Sequence, residues 1–123
     1  MATCHGAITL RRQLDSRHGQ ASTLHVFGYA HHHLGDRVGA VSCYEQAAKA
    51  FRDLGDRHEE AATLTRLGDT HRAAGDPIAA GSAYRQALAI LDEIDHPAAD
   101  AVRTNLTAVT ALAALAGGAR DDR

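Results

Sequence analysis

Small and apolar residues recur at three- and four-residue steps along two stretches of the chain, and both stretches carry the same pattern. In residues 54–91, Ala61, Leu64, Leu67, Gly68 and His71 share one helical face. After Gly75-Asp76-Pro77, Ala80, Tyr84, Ala87, Leu88 and Leu91 share another. A period near 3.6 over these lengths predicts a pair of amphipathic helices. Residues 14–51 repeat this pattern at a fixed offset of 40 without a gap. Fifteen of the 38 positions are identical, including Leu24/Leu64, Gly28/Gly68, His31/His71, Gly35/Gly75, Asp36/Asp76, Ala40/Ala80, Tyr44/Tyr84 and Ala47/Ala87. Unrelated helix pairs would not set their small residues at matching places, so the chain reads as tandem helical hairpins.

The turn residues support this division. Gly75 suits a helix C-terminus, Asp76 an N-cap and Pro77 the first helical position, and Gly35-Asp36 repeats the first two. Helices are predicted at residues 18–34, 37–53, 58–74 and 77–94. Gly28, Gly68, Ala40, Ala80, Ala47 and Ala87 would let paired helices approach, with Tyr44 and Tyr84 filling the adjoining volume. Residues 3–13 align at the same offset with the second helix of a unit, so the chain is expected to begin inside a repeat, as a piece of a longer array. Past Asp95-His96-Pro97 a third unit is expected to start one residue early, with no counterpart of Gly55, and Val102, Leu106, Val109 and Ala113 continue the stripe. The expected organisation is one repeat domain over residues 1–116: a partial unit 3–13, units 14–53 and 54–94, and a final helix over 97–116. That helix is either a cap or a partial unit whose Leu112 and Leu115 await a partner. Residues 117–123, GGARDDR, are expected to be a disordered tail.

The residues Leu24, Phe27, Gly28, His31, Ala40, Tyr44 and Ala47, matched by Leu64, Leu67, Gly68, His71, Ala80, Tyr84 and Ala87, resemble the tetratricopeptide-repeat signature. Histidine replaces the usual first-helix aromatic, and Arg52 and Asp92 stand where a proline often closes the unit. The period of 40 and the LGDR turn at Leu54–Arg57 are similar to the long variant in bacterial STAND and antibiotic-regulatory transcription factors and in kinesin-light-chain-like adaptors. The resemblance implies an all-α, right-handed α-solenoid of antiparallel helix pairs, with about six helices. It also implies a noncatalytic scaffold that binds a protein or peptide partner in a concave groove lined by the first helix of each unit. By that resemblance the groove residues are Ser22, His25, Tyr29, His32 and His33, then Thr65, Asp69 and Arg72, extended by Ala73, Thr104 and Ala108. The lysines and asparagines with which chaperone-tail-binding members grip a carboxylate are replaced by His25, Tyr29, His33, Thr65, Asp69 and Ala73, so that clamp is not expected.

Charge and composition narrow the options. A net charge of −2 gives no basic footprint for nucleic acid. No apolar run is long enough to span a bilayer and Met1–Leu10 lacks the build of a secretory leader, so a cytoplasmic protein is expected, without a membrane partner. Cys4 and Cys43 occupy unrelated repeat positions and read as reduced thiols. Arginine-rich, alanine-rich usage with the single Lys49 resembles a high-GC bacterial composition.

His31-His32-His33 invites a metal reading, but adjacent helical residues point about 100° apart and cannot converge on one ion. His25 and His32 do share a face, leaving a histidine metal site as the lesser alternative. No GxSxG, HExxH, Walker or GxGxxG motif is present, so neither an enzyme nor a cofactor is expected. The principal alternative to partner binding is self-assembly into a homo-oligomer through open solenoid ends.

Overall fold

A computed structural model describes the backbone of residues 2–121 and the side chains of residues 7–116. Among the described residues the elements are five helices: α1 (Ala2–His33), α2 (Arg37–Leu54), α3 (Arg57–Ala73), α4 (Pro77–Glu93) and α5 (Ala99–Asp121). Each helix packs on the next in chain order, and α1 also touches α3, which makes a solenoid of stacked hairpins.

Four turns of one design join the helices. Asp36, Asp56, Asp76 and His96 donate their backbone N–H groups to the carbonyls of His31, Phe51, His71 and Leu91. This six-to-one bond is the Schellman closure, which needs a left-handed residue just before the donor. Gly35, Gly55 and Gly75 supply it with φ of 83°, 74° and 79°. Asp36, Asp56 and Asp76 then cap the following helices by accepting from the N–H groups of Gly39, Glu59 and Ala79. The fourth left-handed residue is Asp95, at φ 52°. It holds the place that Gly55 holds one repeat earlier, so Gly55 does have a counterpart. The missing residue falls later: buried Val102 and Val109 answer to buried Thr63 and Thr70, one position short of the repeat offset. Aspartate tolerates the left-handed conformation better than most residues but not as well as glycine. Asp95→Gly should therefore raise the unfolding free energy by about 0.5–1 kcal/mol, read from the urea midpoint at unchanged slope.

The expected sixth helix is absent as a separate element among the described residues, because residues 3–13 are continuous with the first helix of the next unit. In the repeat register Asp15 and Ser16 stand where Gly55 and Asp56 make their turn. Asp15-Ser16 is followed by Arg17, whereas Asp95-His96 is followed by Pro97, which disfavours helical geometry at His96. With neither glycine nor proline to break it, α1 runs straight through this joint. Residues 7–20 are consequently exposed along their whole length. At the other end Leu112 and Leu115 on α5 are also exposed. The expected disordered tail, 117–123, lies outside the residues whose side chains are described.

The core follows the small-against-large pattern. The Tyr44 ring fills the space beside Gly28 and the Tyr84 ring the space beside Gly68, both tyrosines being fully buried. Around them Ala40, Ala48, Ala61, Leu64, Leu67 and Ala80 form one cluster that extends to Val102 and Val109. A smaller cluster of Ala21, Ala47 and Phe51 closes the α1–α2 hairpin. Glu60, only 2% exposed, accepts from Arg52 Nε at 2.9 Å and from Arg57 Nη1 at 3.0 Å. Arg57 continues to Glu93 at 2.7 Å, which ties α3 to the end of α4.

Candidate partner-binding face

The first helices of successive units, α1, α3 and α5, lie side by side, and two cavities run along the face they share. The smaller, about 100 Å³, sits between α1 and α3 and is lined by Tyr29, His32, His33, Tyr44, Arg66 and Asp69. The larger, about 260 Å³, sits between α3 and α5, where Thr65, Arg66 and Asp69 face Ala98, Val102 and Asn105. Arg66 and Asp69 border both, so the two form one path across the unit boundaries.

Tyr29 is half exposed, with its ring centroid 4.2 Å from that of His33. The Arg66 guanidinium carbon lies 5.8 Å from the Tyr29 centroid, within cation–π range. Among the described residues Arg66 makes no ion pair, so its charge is available to an incoming acceptor. Asp69 is committed: it accepts a 2.5 Å bond from the Tyr84 hydroxyl. Burial, and then this bond and charge, push the Tyr84 phenol well above its usual range, so it stays a proton donor to Asp69. Arg72 borders neither cavity and acts on Tyr84 from the exposed end of α3.

Two of the expected groove histidines have another task. His25 Nδ1 lies 2.8 Å from Thr63 Oγ1, and His32 Nδ1 lies 3.0 Å from Thr70 Oγ1. Both threonines are fully buried on α3, so these bonds stitch α1 to α3 and satisfy hydroxyls that would otherwise be stranded. His25 also sets its ring edge-on to Tyr44. His32 still borders the smaller cavity, whereas Ser22 borders neither. His31 lies 3.0 Å from Asp36 at the α1–α2 turn. Among the described residues no three His, Cys, Asp or Glu side chains come together as a metal-binding group. No helix of the described residues is long and apolar enough to cross a membrane. Cys43 is a free, half-buried thiol, and the side chain of Cys4 lies outside those described.

Burial lowers the His25 pKa, Arg66 adds to the effect and Glu59 opposes it. Folding therefore favours the neutral ring, whose contribution to stability is complete above the unfolded value of 6.5. As pH falls through 6.5 towards the lower folded value, the unfolded chain takes up the proton first and this stability is lost. Compared with the parent, His25→Gln should show a shallower decline in urea midpoint between about pH 7 and pH 5.5. An unchanged slope would remove His25 from that role.

Arg66 is the chief residue that the sequence pattern passed over. Its repeat partner is the apolar Val26, so matching the two units hides it. The available signal was its position three residues before Asp69, on the same side of α3. Asn105, His58 and His96 also line the larger cavity, with the two imidazole centroids 5.0 Å apart.

Two larger cavities measure about 330 Å³ each. One is walled by α2, α3 and α4, the other by the α4–α5 turn. Neither crosses from one first helix to the next or is bordered by a tyrosine, so they are weaker candidates for holding an extended chain.

Stacked hairpins with small-residue notches, Schellman turns and a face of first helices define a helical-repeat scaffold. Residues 19–93 match the tetratricopeptide-repeat family model, and the chain belongs to that family. Repeats of this family generally mediate protein–protein interactions. No curated protein and no solved structure matches the chain.

Proposed function

We propose that the face of α1, α3 and α5 captures an extended segment of a partner protein without catalysing a reaction on it. The observation that carries this reading is the path of two adjoining cavities bordered in common by Arg66 and Asp69. Its chemistry suits a segment with an apolar side chain for the α3–α5 cavity and a carboxylate for Arg66, with Tyr29 as a flat anchor beside it. The LGDR-type turns further support a docking module of a bacterial regulatory protein whose other activities lie outside these residues.

The test is selection from a random peptide library on the immobilised protein, with affinities of the selected peptides measured by fluorescence. Tyr29→Ala and Arg66→Ala should each weaken binding at least roughly tenfold while leaving the melting temperature in place. Ile78→Ser, at an exposed position on α4, should bind as the parent does. Peptides held equally by all three variants would refute the assignment of this face.

A further inference from the structure

We propose that the chain forms a two-fold homodimer in which the amino-terminal half of α1 of each copy lies antiparallel along the uncovered face of the other copy's α1. The starting observation is a helix missing from its place. Within the second unit, α2 covers the outer side of α3: Ala48 clusters with Leu64 and Leu67, and Arg52 reaches Glu60. The corresponding residues on α1 are Leu24, Phe27 and Gln20, and among the described residues no helix lies over that side of them. Leu67 is 7% exposed whereas Phe27 is 53% exposed.

The chain carries the covering segment. Residues 7–13 stand one repeat before Ala47–Asp53 of α2, so Ile8 corresponds to Ala48 and Arg12 to Arg52. Because α1 does not turn at Asp15, this segment points away from the face it would cover. Ile8, Leu10 and Leu14 are left in solvent on a stretch too short to hold a helix well on its own.

One helix with the covering segment on one side of Ser16 and the acceptor face on the other is complementary to a second copy of itself. Moving the Arg52–Glu60 contact back by one repeat pairs Arg12 with Gln20, and the same antiparallel register sets Ile8, the counterpart of Ala48, beside Leu24, the counterpart of Leu64 in the same cluster. Both pairs are symmetric about Ser16, which is the register of an antiparallel dimer with its axis at that residue. The interface is therefore closed and isologous, an exchange of one helix between identical arrays, and it does not propagate into a fibre.

Light scattering coupled to size-exclusion chromatography over a dilution series should give twice the chain mass of 13.0 kDa. The double substitution Asp15→Gly/Ser16→Asp rewrites the joint as the LGDR turn of Leu54–Arg57. It should let residues 3–13 fold back onto their own α1 and yield a monomer that keeps its far-ultraviolet helicity. Phe27→Asp, at a residue exposed in the single copy, should weaken the dimer at least roughly tenfold without loss of helicity. A parent that is monomeric throughout, or a dimer that survives either change in a folded protein, would overturn the proposal. None of these substitutions touches Tyr29 or Arg66, so the result is separate from that for partner binding.

Discussion

Gly68→Ala should destabilise the protein by about 2 kcal/mol, measured by urea unfolding, although alanine is the better helix former. At an exposed site in a helix interior the change would gain about 1 kcal/mol. Here a Cβ on residue 68 would lie 2.5 Å and 2.6 Å from two Tyr84 ring carbons, closer than real Cβ contacts come. The ring cannot swing clear, since it is fully buried and its hydroxyl is tied to Asp69 one residue along the same helix. The α3–α4 pair must separate instead, and the overpacking cost of about 1–3 kcal/mol, added to the strained Tyr84–Asp69 bond, outweighs the propensity gain. Gly19→Ala is the control: nothing lies within 4 Å of the added carbon, so it should stabilise by about 0.5–1 kcal/mol. Equal effects at the two sites would mean that the notch is not filled by the tyrosine.

The second large effect is expected at Glu60. Arg52→Ala alone leaves the buried carboxylate Arg57 and should cost about 0.5–1 kcal/mol, and Arg57→Ala alone leaves it Arg52 and should lower the urea midpoint by less than the double variant does. The double variant removes both and leaves an almost fully buried charge without a counterion. Breaking such a pair costs about 3–5 kcal/mol in a dry interior. Both arginines are about half exposed, so water can follow their removal, and a loss nearer about 3 kcal/mol is expected for the pair. The diagnostic is a double-variant loss larger than the two single losses combined. Additive losses would show that Glu60 draws its compensation from elsewhere.

Much of the fold could be read from the chain because its determinants are local. Gly35, Gly55 and Gly75 announce left-handed turns, Asp36, Asp56 and Asp76 announce caps, and Gly28 and Gly68 pair with Tyr44 and Tyr84 at one sequence distance. What escaped depends on what a residue omits or on what lies across from it. Asp15 gives no positive signal for a straight helix; it only fails to supply the turn that Gly55 makes. Asp95 takes the glycine's conformation under the constraint of Pro97, and so hides where the third unit loses its residue. His25 and His32, expected in the groove, lie on the side of α1 that meets α3. Whether they face solvent or Thr63 and Thr70 depends on the lateral distance between α1 and α3, about which helical periodicity is silent. Arg66 escaped for the opposite reason, because comparing the two repeats favours what they share, and Arg66 answers to the apolar Val26 in the first unit.

The account rests on α1 and α3 lying in contact as neighbouring rungs of one array, and a cross-link between His32 and Thr70 tests this most directly. With Cys4 and Cys43 replaced by serine, the two thiols of His32→Cys/Thr70→Cys should be bridged within one chain by a short bifunctional maleimide, because the parent side chains meet at 3.0 Å. Mass spectrometry of the bridged monomer should show the 32–70 peptide pair, with helicity retained and a higher urea midpoint than in the unbridged form. Failure to form that link in a folded protein, while the α1–α2 hairpin persists, would contradict the stacked arrangement.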